Sequence, residues 1–322
     1  MNFPAPPARA AARLAIPVVL ALAACRGGDK SRPDSADSAA LPDRAALAAG
    51  FQHPESARYD SAADVFYISN IVGDPSAKDG AGFISRMRPD GTIDSLHFIQ
   101  SGRNGVTLNA PKGLALVGDT LWVADLDAVR AFDKNTGAPI LTIDLSKQHA
   151  LFLNDVAAGP DGAIYITDTG MRSEGGQMTH VKGGDKVFRI APSRDHAVTV
   201  ALHTDDLQQP NGITWDSRDL RFIIVSFGGS SIFGWRPPGG SPMVIGHGGG
   251  QLDGVEFLPD NRLLVTSWKD SSLYVRSGNR EVVVKGFPSP ADIGVDTRRN
   301  HVAVPLLLQD KVDIWNIPPL AR

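Results

Sequence analysis

From residue 51 onward, short runs of β-branched and aromatic residues alternate with turn sequences such as Asp-Gly, Pro-Asp, Gly-Gly and Asn-Gly. No sustained period of 3.6 residues marks an amphipathic helix in this region. Strand-sized apolar runs bounded by turn residues are typical of antiparallel sheets. The pattern therefore predicts an all-β fold.

One layout recurs six times in this region. Each copy has a polar residue after Pro, Leu or Ala, then an apolar stretch, a turn, and a strand of the pattern Leu/Tyr-Val/Ile-x-Asp/Ser. The polar residues are Glu55, Lys112, Asn154, Asn211, Asp253 and Asp292, separated by 57, 42, 57, 42 and 39 residues. Each interval accommodates a four-stranded sheet and a loop, so the repeat predicts a six-bladed β-propeller. A two-sheet sandwich, the alternative, does not predict the same polar position six times. Three aromatic residues are expected on later strands of their blades: Trp235, Tyr274 and Trp315.

In a propeller, the first strand of each blade lines the central channel. The six polar residues are therefore expected to converge at one channel mouth, with Asp155 adjacent. Burying carboxylates there is costly unless they are paired or bind a cation. Two interpretations follow: a metal site, or a polar plug in which Lys112 pairs with Glu55 or Asp292.

The residue types in this ring favour a hard cation. Glu55 and Asp253 offer anionic oxygens, and Asn154 and Asn211 offer neutral ones. This set suits Ca²⁺, with Mg²⁺, Mn²⁺ or Zn²⁺ as alternatives. The ring has no Cys and no recurrent His, which disfavours a structural zinc site. Asp155 and Asp292 are candidate additional ligands.

Four motifs occur in order on the predicted inner strands: Glu55-Ser-Ala-Arg-Tyr59, Asn154-Asp155, Pro210-Asn211-Gly212 and Asp253-Gly254. Over about residues 50–316 the chain resembles the gluconolactonase / senescence-marker-protein / luciferin-regenerating-enzyme family. The resemblance implies a divalent metal, usually calcium, held by residues matching Glu55, Asn154, Asn211 and Asp253. It also implies hydrolysis of lactones or related esters, with the metal as Lewis acid and Asp253 as nucleophile or base.

The candidate catalytic residues are Asp253, Asn154 and Lys112. Lys112 departs from the family pattern, and either binds an anionic substrate or partly replaces the metal. Asp292 is a further departure, either as a ligand or as a counter-charge to Lys112. Ala57 and Tyr59 replace a usual Pro and Trp that do not ligate. The competing function is a non-catalytic propeller that binds a ligand or protein, with the metal only pinning the blades.

The N-terminal region has the pattern of a bacterial lipoprotein signal. Arg9 and Arg13 precede an apolar run that ends in Leu22-Ala-Ala-Cys25, and Cys25 is the only cysteine, so no disulfide can form within the chain. We expect a signal peptide over 1–24, lipidation at Cys25, a flexible tether over 25–49 and the propeller over 50–322. The expected location is the cell envelope, at the periplasmic face of the outer membrane or the cell surface. A plain signal peptide with an incidental Cys is the alternative.

The net charge of the chain limits the classes of partner that it is expected to bind. A formal net charge of −3 gives no basic excess for nucleic acid, and we expect a monomer with a small-molecule substrate. The Gly-rich segment 169–184 is either a mobile lid over the channel mouth or a surface excursion. His247, in a Gly-rich segment, is either a general base or a solvated surface residue.

Overall fold

The computed structural model describes residues 41–319, which form twenty-four β-strands in six four-stranded antiparallel sheets. The only helical elements within this range are three short 3₁₀ turns, at Ser146–Gln148, Asp205–Leu207 and Leu307–Gln309. Among these residues no helix has the length and apolarity needed to cross a membrane. The all-β prediction is confirmed.

Five of the six sheets are continuous in sequence, and each is one blade. Blade 1 comprises β2 (Pro54–Asp60), β3 (Val65–Asn70), β4 (Phe83–Met87) and β5 (Ile93–Gln100). Blade 2 comprises β6 (Pro111–Val117), β7 (Thr120–Asp125), β8 (Ala128–Asp133) and β9 (Pro139–Asp144). Blade 3 comprises β10 (Leu153–Ala158), β11 (Ile164–Glu174), β12 (Gln177–Ile190) and β13 (Val198–His203). Blade 4 comprises β14 (Pro210–Asp216), β15 (Arg221–Ser226), β16 (Ser231–Trp235) and β17 (Met243–His247). Blade 5 comprises β18 (Leu252–Phe257), β19 (Leu263–Ser267), β20 (Ser272–Ser277) and β21 (Arg280–Lys285).

Blade 6 is built from both ends of the described chain. Its strands are β22 (Gly294–Asp296), β23 (His301–Leu306), β24 (Lys311–Asn316) and, on the outside, β1 (Asp43–Ala49). The first strand of each blade contacts those of both neighbouring blades, which closes a ring of six around a channel. This closure confirms the six-bladed β-propeller. Trp235, Tyr274 and Trp315 lie on the third strands β16, β20 and β24, as predicted.

The start of the propeller differs from the sequence-based boundary. The tether was expected to extend to residue 49, but Asp43–Ala49 forms β1 and pairs antiparallel with β24. This segment is rich in alanine and lacks β-branched residues, so its composition does not indicate a strand. The open edge of β24 supplies the backbone partners, and Arg44 reaches the buried Asp313 carboxylate at 2.7 Å. The predicted signal peptide over 1–24 and Cys25 lie outside the described residues.

In blades 2 and 3 the recurrent polar residue of the second strand has a structural role. The Asp125 carboxylate accepts hydrogen bonds from the backbone N–H groups of Asn109 and Ala110. Asp168 does the same for Leu151 and Phe152. These bonds fix the segments just before the inner strands β6 and β10, so that both strands enter the channel in a defined position.

Candidate metal centre

A β-bulge interrupts the first strand of blades 1 to 5 at the same place. The pairing register shifts between Pro54 and Ala57 in β2, and the same shift recurs at Pro111/Leu114, Leu153/Val156, Pro210/Ile213 and Leu252/Val255. The first bulged residue in each case is the polar residue of the repeat: Glu55, Lys112, Asn154, Asn211 and Asp253. Bulges redirect side chains, and here the bulged residues occupy equivalent positions around the channel mouth.

Hydroxyl groups on the second strands support the bulges. Ser69, Thr167 and Thr266 accept the N–H of the second bulged residue in their blades, at 2.9, 2.9 and 2.7 Å. These bonds satisfy backbone donors that the interrupted ladder leaves unpaired. Thr167 and Thr266 also donate to the carbonyl oxygens of Asn211 and Ala291 in the next blade, at 2.6 and 3.1 Å. The bulges are therefore held in place within and between blades.

Close packing around the channel explains the glycine that follows three of the ring residues. A Cβ on Gly113 would lie 2.4 Å from the Cα of Asp155. A Cβ on Gly212 would lie 2.3 Å from the carbonyl oxygen of Asp253. A Cβ on Gly254 would lie 2.8 Å from the Cα of Asp292. The inner strands of blades 2 and 3, and those of blades 4, 5 and 6, thus approach so closely that a side chain at these positions would collide with neighbouring backbone.

The register places Asp292 one position away from the ring. Pro290 bridges Leu306 just as Leu153 pairs with Asp168, so Ala291, not Asp292, corresponds to Asn154. Asp292 corresponds to Asp155, and its main chain forms a parallel bridge with Ser56. The repeat predicted from the sequence places Asp292 in the ring, which is one residue too far along the chain in blade 6. The ring therefore contains five polar residues and Ala291.

The four residues expected to bind a metal share one property. Glu55, Asn154, Asn211 and Asp253 are 4%, 5%, 3% and 4% exposed. Each has a buried side-chain oxygen without any hydrogen-bond partner: Glu55 Oε2, Asn154 Oδ1, Asn211 Oδ1 and Asp253 Oδ1. Buried oxygens are normally satisfied. Four unsatisfied acceptors at equivalent positions of one channel, two of them carboxylates, fit the oxygen ligands of a hard divalent cation.

The electrostatics of the ring agree with this fit. Burial raises the pKa of Glu55 well above its usual range, and the carboxylates of Asp253 and Asp292 raise it further. Burial and Asp292 likewise raise the pKa of Asp253. A cation at this position would reverse both shifts, because it favours the ionised form of a neighbouring carboxylate.

Lys112 is buried in the ring but is held by main-chain groups. Its Nζ donates to the carbonyl oxygens of Ala110 and Pro75 at 3.1 and 3.3 Å, and lies 4.1 Å from the centre of the Phe152 ring. Burial lowers the pKa of Lys112 to about 8, although Glu55 opposes the shift. Through Pro75, the ammonium fastens the loop that follows β3 to the channel mouth.

Asp155 and Asp292, the candidate additional ligands, lie at the second bulged position. Both oxygens of Asp155 accept backbone N–H groups, from Val156 at 2.7 Å and from Ile213 at 2.8 Å. Asp155 therefore bridges blades 3 and 4 and has no unpaired oxygen. Asp292 accepts the Ser56 hydroxyl at 2.5 Å through Oδ2, and its Oδ1 is buried without a partner.

Further along the channel, the charges are paired. Arg58 Nη1 donates to Glu256 Oε2 at 2.5 Å, and the Thr214 hydroxyl donates to Glu256 Oε1 at 2.9 Å. Arg58 also donates to the Leu114 carbonyl at 2.7 Å and lies 3.7 Å from Asp292. This ion pair lies at the opposite end of the inner strands from the ring.

A second group of potential ligands lies on blade 3. His180, Asp185 and Asp205 can bring three ligand atoms within 4.8 Å of one another. Their oxygens are already used: His180 contacts Asp185 at 2.6 Å, Gln209 N–H donates to Asp185, and Gly183 N–H donates to Asp205. This group lacks the unsatisfied buried oxygens that distinguish the ring.

The strand assignments give the conformation of two other segments that the sequence singled out. The segment 169–184 forms the ends of β11 and β12, a long antiparallel hairpin joined by register pairs such as Met171 with His180. His247 is exposed at the end of the outer strand β17, where its carbonyl accepts Arg276. Its position agrees with a surface residue.

The sequence of residues 53–226 matches the family model described as the SMP-30/Gluconolactonase/LRE-like region. This stretch is more than half of the chain. The protein belongs to the SMP-30/gluconolactonase/LRE-like family. The family predicted from the motifs is thus confirmed, and Glu55, Asn154 and Asn211 lie inside the matched region, whereas Asp253 lies beyond it. No curated protein matches the chain.

Solved structures show how widely the fold of this family member is shared. A gluconolactonase from Xanthomonas campestris superposes with a TM-score of 0.62 at 16% identity, over 85% of this chain and 89% of that chain. A virginiamycin B lyase from Staphylococcus aureus has a TM-score of 0.56 at 13% identity, over 86% and 99%. A streptogramin B lyase has a TM-score of 0.58 at 11% identity, over 86% and 97%. At these identities the likeness establishes the fold, and the function must be argued from the site.

Several residues of the site were not found from the sequence. The indole of Trp268 faces the Asp253 carboxyl and opposes the rise in its pKa, although no hydrogen bond of good geometry joins them. The hydroxyls of Ser69, Thr167 and Thr266 were also missed. They do carry a signal: each comes directly before the polar residue that the repeat includes on the second strand.

Proposed function

We propose that this protein is a divalent-metal-dependent hydrolase of lactones or related esters. The observation that carries the proposal is the set of four buried, unpartnered oxygens on Glu55, Asn154, Asn211 and Asp253. Membership of a family that includes gluconolactonase in its description adds support for the reaction class.

The four side chains would hold the cation with two carboxylate and two amide oxygens. The ligand charge of two matches a divalent ion, and an all-oxygen set favours Ca²⁺, with Mg²⁺, Mn²⁺ or Zn²⁺ as alternatives. When bound, the cation supplies a Lewis acid that polarises the lactone carbonyl and stabilises the developing oxyanion.

Asp253 is the residue we assign to the chemical step. Its carboxylate accepts a proton from the water that attacks the carbonyl carbon, or attacks that carbon itself. When water attacks, a new C–O bond forms, the ring C–O bond breaks, and the ring oxygen takes up the proton from Asp253 to give a hydroxy acid. When Asp253 attacks, the ring oxygen leaves and takes a proton from water, and the resulting hydroxide hydrolyses the anhydride between Asp253 and the acyl group, which restores the Asp253 carboxylate. The Trp268 indole, which faces this carboxyl, favours its ionised form. Asn154 contributes a neutral oxygen, and Lys112 adds the one cationic side chain of the ring.

We also propose that the chain acts as a monomer at the cell envelope, anchored through lipid on Cys25 at the outer membrane. The lipobox-like sequence before Cys25 supports this location. Labelling with a radioactive fatty acid tests it: label is expected in the natural chain and not in Cys25→Ser.

A non-catalytic role is the second candidate, with the metal pinning the blades. The low exposure of the four side chains, between 3% and 5%, favours it. The two functions are separated by treating the purified full chain with chelator and assaying a panel of lactones and aryl esters with and without Ca²⁺ or Mn²⁺. Metal-dependent turnover supports the hydrolase. Metal-dependent thermal stabilisation without turnover of any substrate supports the binder.

A further inference from the structure

A second ring of residues lies directly above the first. It consists of the residue that directly follows the second strand in five blades, Ile71, Leu126, Phe227, Trp268 and Leu307, and of Thr169, the equivalent residue within the longer strand β11 of blade 3. In blades 1, 3, 4 and 5 the N–H of this residue donates to the carbonyl of the residue just before the inner strand, as Phe227 does to Gln209 at 2.9 Å and Trp268 to Gln251 at 3.0 Å. In blade 6 the N–H of Leu307 donates to the carbonyl of Ser289 at 3.0 Å. We call these six residues the rim.

One arc of the rim is aliphatic and closely packed. Ile71, Leu126 and Leu307 belong to a single apolar cluster with Ala110 and Phe152. The members come from blades 6, 1, 2 and 3. Four blades come close enough to share one apolar cluster near the channel, so this cluster lies at the edge of the channel mouth.

The other arc is aromatic. The rings of Phe227 and Trp268, from blades 4 and 5, lie 5.7 Å apart in an edge-to-face arrangement, and both side chains are partly exposed. Trp268 also faces the Asp253 carboxyl. Because Trp268 is partly exposed and also faces a ring carboxyl, we expect a molecule that enters the site to contact this arc.

The rim offers few hydrogen-bonding groups to such a molecule. The Thr169 hydroxyl donates to the Pro210 carbonyl at 3.0 Å, and the Trp268 indole N–H is buried beside the Asp253 carboxyl without a hydrogen-bond partner. Beside Phe227, the amide of Gln209 packs against Gly228 and retains one buried, unpartnered acceptor, Oε1. A polyhydroxylated sugar lactone brings several hydroxyls, and most would lose their water partners here without replacement, which is unfavourable. An alkyl or aryl group would instead bury apolar surface.

We propose that the site takes lactones or esters that carry an apolar alkyl or aryl group, and that Phe227 and Trp268 determine this specificity. The proposal rests on the hydrolase function above and adds the substrate class, which differs from the sugar lactone that the family name suggests.

The test compares lactones of one ring size on the full chain with Ca²⁺: δ-decalactone, with an alkyl tail, δ-valerolactone, without one, and δ-gluconolactone. We expect kcat/KM for δ-decalactone to exceed that for δ-gluconolactone at least about tenfold, since burial of an alkyl chain has effects of this order. Phe227→Ala is expected to reduce kcat/KM for δ-decalactone about tenfold through KM, and that for δ-valerolactone much less. Phe98→Ala, a partly buried aromatic on the outer strand of blade 1, is the matched control and should leave both unchanged.

Equal or faster turnover of δ-gluconolactone would overturn the substrate class while leaving the hydrolase intact. So would a Phe227→Ala variant that loses activity equally on both alkyl and plain lactones. If no lactone is hydrolysed, the proposed function fails, and calorimetry then tests the ligand specificity of the rim separately. A δ-lactam with an alkyl tail is then expected to bind to the calcium-loaded chain more tightly than its polyhydroxylated counterpart, and the reverse order would refute the inference.

Discussion

At the inner end of the channel Glu256 is surrounded by donors, whereas at the mouth Glu55 and Asp253 are not. Glu256 accepts Arg58, the Thr214 hydroxyl and its neighbour's backbone N–H. Glu55 Oε2 and Asp253 Oδ1 accept nothing. Both ends are built from the same inner strands, so backbone geometry does not explain the difference. The inner end satisfies its charge within the chain, and the mouth requires a cation from outside.

The largest expected effect concerns catalysis at the mouth. In Asp253→Asn the amide keeps the shape of the side chain but removes the charge and the base. We expect kcat/KM on a hydrolysed lactone to fall by about 10²–10³, as removal of one preorganised electrostatic group does. Steady-state kinetics at saturating Ca²⁺ measure it.

Glu256→Gln is the matched control at the inner end. It is expected to lower the free energy of unfolding by about 1–3 kcal/mol, the size of a lost hydrogen bond to a charged group. Activity should stay within about threefold, because Glu256 lies at the opposite end of the inner strands from the ring. A tenfold loss would require the activation barrier to rise by about 1.4 kcal/mol. Equal activity losses in the two variants would mean that the ends do not differ in function.

The sequence was sufficient for the architecture and for most of the ring. The polar residue recurs because the bulge recurs, so a repeat search identifies Glu55, Lys112, Asn154, Asn211 and Asp253 without coordinates. In blade 6 the repeat predicts the wrong residue, because Ala291 occupies the ring position and the next residue is an aspartate. Only the bridge from Pro290 to Leu306 reveals the shift.

The rim and the first strand could not be predicted for a different reason. Ile71, Leu126 and Leu307 are apolar residues at strand ends, and nothing in the sequence separates them from core residues. The segment Asp43–Ala49 is a strand only because β24 offers it an open edge. Both features depend on contacts between residues that are far apart in the chain.

The second prediction concerns Asp292, which lies one residue beyond the ring position of blade 6. In the chelated protein, burial raises the pKa of Asp292 to about 6, against the effects of Arg58 and the Ser56 hydroxyl. A raised pKa means that folding is favoured when the group is protonated, and that this contribution is lost as pH rises from about 4 through 6. Asp292→Asn lacks the titration. Relative to the natural chain it is therefore expected to gain stability over this window, by at most about 3 kcal/mol.

Urea unfolding of both chains in chelator at pH 4.5 and pH 7.5 measures this difference. A stability difference that is constant across the two pH values would show that Asp292 stays ionised when folded, and that the charge at the mouth is balanced in another way.

The third prediction concerns calcium and stability. At a free Ca²⁺ concentration about 100 times Kd, binding stabilises the fold by about 2.7 kcal/mol, which raises Tm by roughly 5–10 °C for a domain of this size. Glu55→Gln is expected to reduce the shift to near zero at the same Ca²⁺ concentration. Differential scanning calorimetry provides the measurement. Asp205→Asn, in the second group of potential ligands, should keep the full shift in Tm. Loss of the shift in this variant would instead indicate that the metal binds on blade 3.

The smallest expected effect comes from Lys112, the cationic member of the ring. Its ammonium lowers the pKa of Glu55 and would repel a second cation in the same layer. Lys112→Met keeps the length of the side chain and removes the charge. We expect calcium to bind roughly fivefold more tightly by calorimetry, since a partly screened pair of charges contributes about 1 kcal/mol.

Lys186→Met separates this charge effect from lost anchoring. Lys186 is also buried, and its Nζ donates to two main-chain carbonyls, those of His149 and Gly184, at 3.1 and 3.2 Å. It lies on β12, outside the ring, so its substitution removes the same kind of hydrogen bonds without changing the charge at the mouth. Both variants should lose similar stability, and only Lys112→Met should bind calcium more tightly. Weaker calcium binding in Lys112→Met alone would instead show that the hydrogen bond to Pro75 favours calcium binding by more than the ammonium charge opposes it.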